Sequence, residues 1–165
     1  VNKKDYQKLL KKQEGYKLAE VKGKASSAFA SNWENKTIEL GKNTFGWKSL
    51  KLNFGKKEVT MTVTETNGKS YELPFGYQQW MTTTFDSYPP YSITPIDRFK
   101  GLEGPYYASG SYAWISKEEL QLKVHYVNWV SALEITFRLD ENGEVKLNVQ
   151  TNYIKKPYSI SGKIK

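Results

Sequence analysis

From residue 37 onward, apolar residues fall on every second position, and this period of two constrains the fold more than any other feature. Leu50, Leu52 and Phe54 alternate with Ser49, Lys51 and Asn53; Val59, Met61 and Val63 alternate with Thr60, Thr62 and Thr64. Successive side chains of a strand point to opposite faces, so each run has one apolar and one polar face. The pattern recurs at Leu120, Leu122, Val124 and Tyr126, at Leu133, Ile135, Phe137 and Leu139, and at Val145, Leu147 and Val149. Thr37 to Leu40 opens the series, Ala108 to Trp114 resumes it, and Tyr158, Ile160 and Ile164 close it. Asn67-Gly68 and Asn142-Gly143 are type I′ hairpin signals, and Tyr71 and Leu73 lie on the strand returning from the first.

Strands buried on both faces would read as continuous apolar runs, and these do not. One-faced antiparallel strands in sequence must curl until their apolar faces meet. The expected fold is therefore mainly β: an antiparallel meander β-barrel of lipocalin-like character, or a half-barrel, of about eight to ten strands. Residues 25–165 make one such domain, and a short N-terminal helix is expected against its outside or over one end.

That helix is read between Lys3 and Glu14, where Tyr6, Leu9 and Leu10 fall at i, i+3 and i+4 among lysines and Gly15 serves as a stop. Its single narrow stripe needs something to lie on. Residues 1–24 are read as a basic helical linker segment. They carry eight lysines and three acids, and residues 155–165 carry four lysines and no acid. The formal net charge of +8 thus belongs to two tails, because residues 25–154 hold 13 basic and 14 acidic residues. A neutral body argues against a nucleic-acid partner despite the 15% aromatic content. No run approaches the roughly 20 apolar residues of a membrane-spanning helix.

Catalytic chemistry finds few footholds. The chain has no cysteine, which excludes thiol catalysis and zinc-thiolate sites. It has no Ser-x-x-Lys, no Gly-x-Ser-x-Gly and no phosphate loop. His125, the only histidine, falls on the polar side of a strand and is read as solvated surface. Tyr126-Val127-Asn128 spells a triplet of penicillin-recognising hydrolases but has no nucleophile partner here. Asp140, Glu141 and Glu144 flank Asn142-Gly143 without the remaining ligands of a calcium loop, so they read as a polar hairpin. Neither a metal nor a cofactor is expected, and no catalytic residue is assigned.

Aromatics remain. Trp33, Trp47, Trp80, Trp114 and Trp129 lie near strand ends or turns, as core caps or as a stacking platform. Thr84 to Pro105 reads as one irregular loop holding four of the six prolines together with Phe85, Tyr88 and Tyr91. A loop of about 20 residues in a compact domain is often functional.

Several segments, in order, resemble a known setting. They are Asn43-Thr44-Phe45-Gly46-Trp47 running into Lys48 to Phe54, Leu73-Pro74-Phe75-Gly76 followed by Trp80, Ala108 to Trp114, and Leu120 to Val124 with Ile135 to Arg138. Over residues 30–150 the chain resembles the C-terminal, lipocalin-like β-domain of serine hydrolases of the beta-lactamase/penicillin-binding-protein type. The resemblance implies a non-catalytic accessory domain docked on an N-terminal serine hydrolase domain of the same polypeptide, which would carry the nucleophile. The alternative is an independent binding module for a small apolar ligand or a cell-wall glycan or peptide. Candidate docking or ligand contacts are Tyr6, Leu9, Leu10, Trp80, Phe85, Tyr88, Tyr91, Trp114 and Trp129.

Overall fold

The computed structural model describes residues 2–14, 18–90 and 104–165. An α-helix, α1 (Lys3–Glu14), and a short 3-10 helix (Ala28–Asn32) precede ten strands. These are β1 (Thr37–Leu40), β2 (Trp47–Phe54), β3 (Glu58–Glu65), β4 (Ser70–Tyr77), β5 (Met81–Phe85), β6 (Tyr106–Trp114), β7 (Leu120–Tyr126), β8 (Ala132–Leu139), β9 (Val145–Thr151) and β10 (Tyr158–Ile164). The alternating runs sit where the period of two puts them. The correction is β5, which splits off from the long irregular loop and from the gap before it.

Sequential neighbours pair antiparallel from β1 to β4 and from β5 to β10, and β1 pairs antiparallel with β10. The ring closes where β4 pairs with β6 in parallel, Phe75 beside Gly110 and Tyr77 beside Tyr112. Nine strands form the ring, and an odd ring of alternating strands must contain one parallel pair. β5 is the tenth, laddered to β6 from Met81 to Phe85 but not to β4. A barrel or half-barrel was expected; the closing β4–β6 pair makes it a barrel.

The apolar face of each strand turns inward. Leu52, Met61, Phe75, Leu122, Ile135 and Leu147 have no exposed surface at all. A void large enough for water would leave surface on the side chains lining it, so the space between these residues is filled. This barrel is packed with side chains at its middle, as barrels of about eight strands can be.

One end is capped from outside the sheet. Ser27 accepts from the Phe29 N–H at 3.1 Å and donates its hydroxyl to the Lys117 carbonyl at 2.6 Å, fixing the start of the 3-10 helix. Trp33 follows and stacks on Trp114 with centroids 5.5 Å apart. The helix expected over the end is not the cap. From Lys3 to Gln13 every residue of α1 except Leu10 is exposed, and the 3-10 helix takes that position. Residues 18–24 run extended instead. Lys24 pairs with Trp114, and Val21 is buried with its N–H donating to Ser111 Oγ. This contact explains why β6 buries both of its faces.

Among the described residues no helix is long and apolar enough to cross a membrane, and no three His, Cys, Asp or Glu side chains group as a metal site.

Candidate functional site

In an up-and-down barrel, alternate connections share an end. Those from β1 to β2, β3 to β4, β5 to β6, β7 to β8 and β9 to β10 lie at the end opposite the 3-10 helix, and a cleft of about 600 Å³ sits among them.

Its walls are built by local hydrogen bonding. The Asn43 carboxamide accepts from the N–H groups of Phe45 and Trp47 at 3.1 and 3.2 Å and donates to the carbonyls of Gly41 and Trp47 at 2.9 and 2.7 Å. Gly46, at φ 69°, makes the left-handed step that lets this turn enter β2. The turn presents Phe45 stacked on Trp47 at 4.7 Å, with Tyr158 edge-on at 5.2 Å. Opposite, the Asn67-Gly68 hairpin places Glu65 and Lys69 on the rim and Tyr71 below them, stacked on Phe85 at 5.2 Å.

Behind Phe85 lies Tyr126, with centroids 5.6 Å apart. Its hydroxyl is buried and has no hydrogen-bond partner. Burial is the main force pushing the Tyr126 hydroxyl well above its ordinary pKa, reinforced by Tyr71, Tyr153 and Glu65. Burial likewise pushes Tyr71 up, against a hydrogen bond from Trp47 and with the Glu65 charge adding to it. Both phenols are therefore protonated donors at neutral pH.

The residues singled out from sequence do not form one site. Phe85 is buried at the cleft end, Tyr88 lines the cleft at 45% exposure, and Trp129 packs edge-on against Tyr106 at the same end. Trp114 is buried at the opposite end beneath Trp33, where it caps the core and lines a second cleft with Phe29 and Ile115. Trp80 lies on the outer face, with its indole N–H donating to the Leu18 carbonyl at 2.9 Å. Tyr6 and Leu9 are exposed on α1, beside the half-buried Leu10. Tyr91 lies outside the described residues.

Phe45, Tyr71, Tyr126, Tyr153 and Tyr158 are the residues that sequence reading missed. The available signal was the parity of the connections, which sends the aromatics at alternate turns to one end. Asn128 of the Tyr-x-Asn triplet does structural work: it accepts from the Tyr107 N–H at 2.8 Å and donates to the Pro105 carbonyl at 3.2 Å.

His125 is not simply solvated, which corrects the reading of it as open surface. Trp80 packs edge-on against it at 5.3 Å, and its Nε2 is buried without a partner. Burial first, then the Lys123 charge, holds its pKa below the ordinary value, with Glu134 opposing. The unfolded chain thus binds this proton more readily than the folded one. The resulting stabilisation is present above the ordinary histidine value of about 6.5 and is lost as pH falls through the lower folded value. Urea midpoints across this range should fall more steeply for the wild type than for His125→Gln; parallel slopes would refute the assignment.

No family model matches the chain, and no curated protein matches it. Among solved structures it is similar to a Schistosoma mansoni fatty acid binding protein in complex with arachidonic acid, with a TM-score of 0.51 and 10% identity, over 82% of this chain and 96% of that chain. At that identity the likeness speaks for the fold alone. The fold is a closed, lipocalin-type barrel like that of a fatty acid binding protein, with nine strands in its ring.

Proposed function

We propose that this chain is a non-catalytic binding module that takes a small, largely apolar ligand in the cleft at the end of its barrel. The observation that carries the reading is the cleft itself, whose volume falls in the range of small-molecule sites and whose walls combine aromatic rings with polar side chains in about equal number. The similar fatty acid binding protein holds arachidonic acid, which supports an apolar ligand class. The filled middle of this barrel supports a site at the end rather than in the interior. Stacking rings would also suit a glycan or peptide, but Phe45, Tyr88 and Pro89 favour an apolar body. The accessory-domain reading rests on the ordered segments between Asn43 and Arg138 and on the missing catalytic motifs, and the similar solved structure lends it no support.

Tryptophan emission reports the binding, because Trp47 lies directly behind Phe45. Titration with methyl decanoate should give a saturable change. Tyr88→Ala, which removes an exposed ring, should weaken the affinity about fivefold. Flat traces with methyl decanoate, decanoate and a soluble cell-wall disaccharide-peptide alike would overturn the proposal.

A further inference from the structure

We infer that the Tyr126 hydroxyl is the polar anchor of the cleft, and that the ligand it selects carries a neutral hydrogen-bond acceptor, such as an ester or ketone carbonyl, rather than a carboxylate. This rests on the cleft reading above and names its ligand class.

Two observations converge on the anchor. Tyr126 is 2% exposed and points inward with Leu122 and Val124, yet its hydroxyl has no partner. A buried, unsatisfied donor costs free energy that an arriving acceptor recovers. Ser131, which closes the same hairpin by accepting the Tyr126 N–H at 3.1 Å, also has a buried hydroxyl without a partner. Two orphaned hydroxyls on one hairpin mark a place where polar groups await a complement, at the end of the barrel that holds the cleft.

Among the described residues, two rings lead from the cleft to Tyr126: Tyr71, which lines the cleft, and Phe85, which stacks on Tyr71 and packs on Tyr126. They belong to β4 and β5, which share no ladder at this end, so their stacked contact can part without breaking backbone hydrogen bonds. β4 is suited to this by Pro74, whose missing N–H would otherwise sit unpaired along that edge.

Charge decides the head group. Glu65 is close enough to add its repulsion to both Tyr71 and Tyr126, so the floor of the cleft disfavours a second negative charge. Lys69 on the rim is the only cation lining the cleft among the described residues. A neutral carbonyl accepts the Tyr126 proton without meeting that repulsion.

Tyr126→Phe tests the anchor, because it keeps the ring and removes only the hydroxyl. Affinities of methyl decanoate, decanoate and decane are to be measured for both proteins by tryptophan emission. The expected result is that methyl decanoate binds the wild type more tightly than decanoate. It should bind the variant about five- to tenfold more weakly, while decane is unaffected. Thermal unfolding of the free variant should occur at an equal or higher temperature, since an unsatisfied group has been deleted. If the wild type binds and Tyr126→Phe binds methyl decanoate equally well, the anchor is refuted and the cleft reading stands. If decanoate binds the wild type more tightly than its ester, the neutral-acceptor assignment falls. If no probe binds the wild type, the cleft reading fails and the anchor with it.

Discussion

Trp33→Ala is expected to lower the unfolding free energy by about 3–5 kcal/mol, the range for truncating a fully buried large aromatic side chain. Trp33 has no exposed surface and closes the barrel end by touching three rings: Trp114 at 5.5 Å and 7° between planes, Phe29 edge-on at 5.4 Å, and Phe137 at 6.1 Å. The segment around it cannot collapse inward to fill the hole. Asn35 is tied to β2 by its N–H donating to the Leu52 carbonyl at 3.0 Å, and the Glu34 carboxylate accepts from the Phe54 N–H at 3.2 Å. The cavity term therefore persists in the mutant. Trp33→Phe should cost less than half as much, because the indole N–H has no partner to lose and most of the ring contact survives. Urea denaturation of the two variants beside the wild type measures both. A loss of under about 1 kcal/mol for Trp33→Ala would show that the cap contributes little to stability.

The same residue shows what the sequence could and could not say. An alternating strand needs only its own neighbours to be recognised, and every run with that signature is a strand in the barrel. Trp33 sits between Asn32 and Glu34 in no apolar pattern. Nothing local distinguishes a plug from a surface tryptophan, since its partners Trp114 and Phe137 are about 80 to 100 residues away. β5 was illegible for a related reason. Met-Thr-Thr-Thr-Phe has apolar residues only at its ends, and its strand character comes from pairing with Tyr106 to Gly110. Its location also hid the closure, because the parallel β4–β6 pair exists only once β5 has been displaced from the ring.

The cleft was partly legible. Tyr88 and Trp129 were found because they sit in obvious loops. Tyr71 and Tyr126 read from sequence as ordinary inward residues of strands, and they do face inward. Their distinction is that they end their strands at the same rim, with hydroxyls where the packed interior gives way to the cleft. Alternation assigns a face but not a height along the barrel axis. Height depends on register, and the register emerges from ladders that no single run encodes. His125 differs in the opposite direction: a polar-side strand position reads as solvent-facing, but Trp80, from the β4–β5 turn, packs against it on the outer face.

Closure makes the sharpest demand on a single residue, at Gly110. Here β6 meets three strands at once: Phe75 of β4, Met81 of β5 and Val124 of β7 all lie beside it. A Cβ at this position would run into the Pro74 carbonyl oxygen and come within 2.7 Å of the Phe75 ring. The first obstacle is backbone in the closing strand and cannot swing aside, so relief requires β4 to move off β6. Gly162, another close-packed glycine of the barrel, provides the comparison. Its Cβ would meet side-chain methyl groups of Ile38 and Leu40 at 2.7 and 3.0 Å, and the nearest backbone atom, the Glu39 carbonyl oxygen, only at 3.1 Å. Gly110→Ala should therefore destabilise the barrel by about 3 kcal/mol, at the top of the usual overpacking range, and Gly162→Ala by about 1 kcal/mol. The order matters more than either magnitude. Because this pair holds β4 in the ring, Gly110→Ala should raise amide exchange in β4 before global unfolding. An equal or smaller loss for Gly110→Ala than for Gly162→Ala would mean that the parallel pair is not what holds the ring shut.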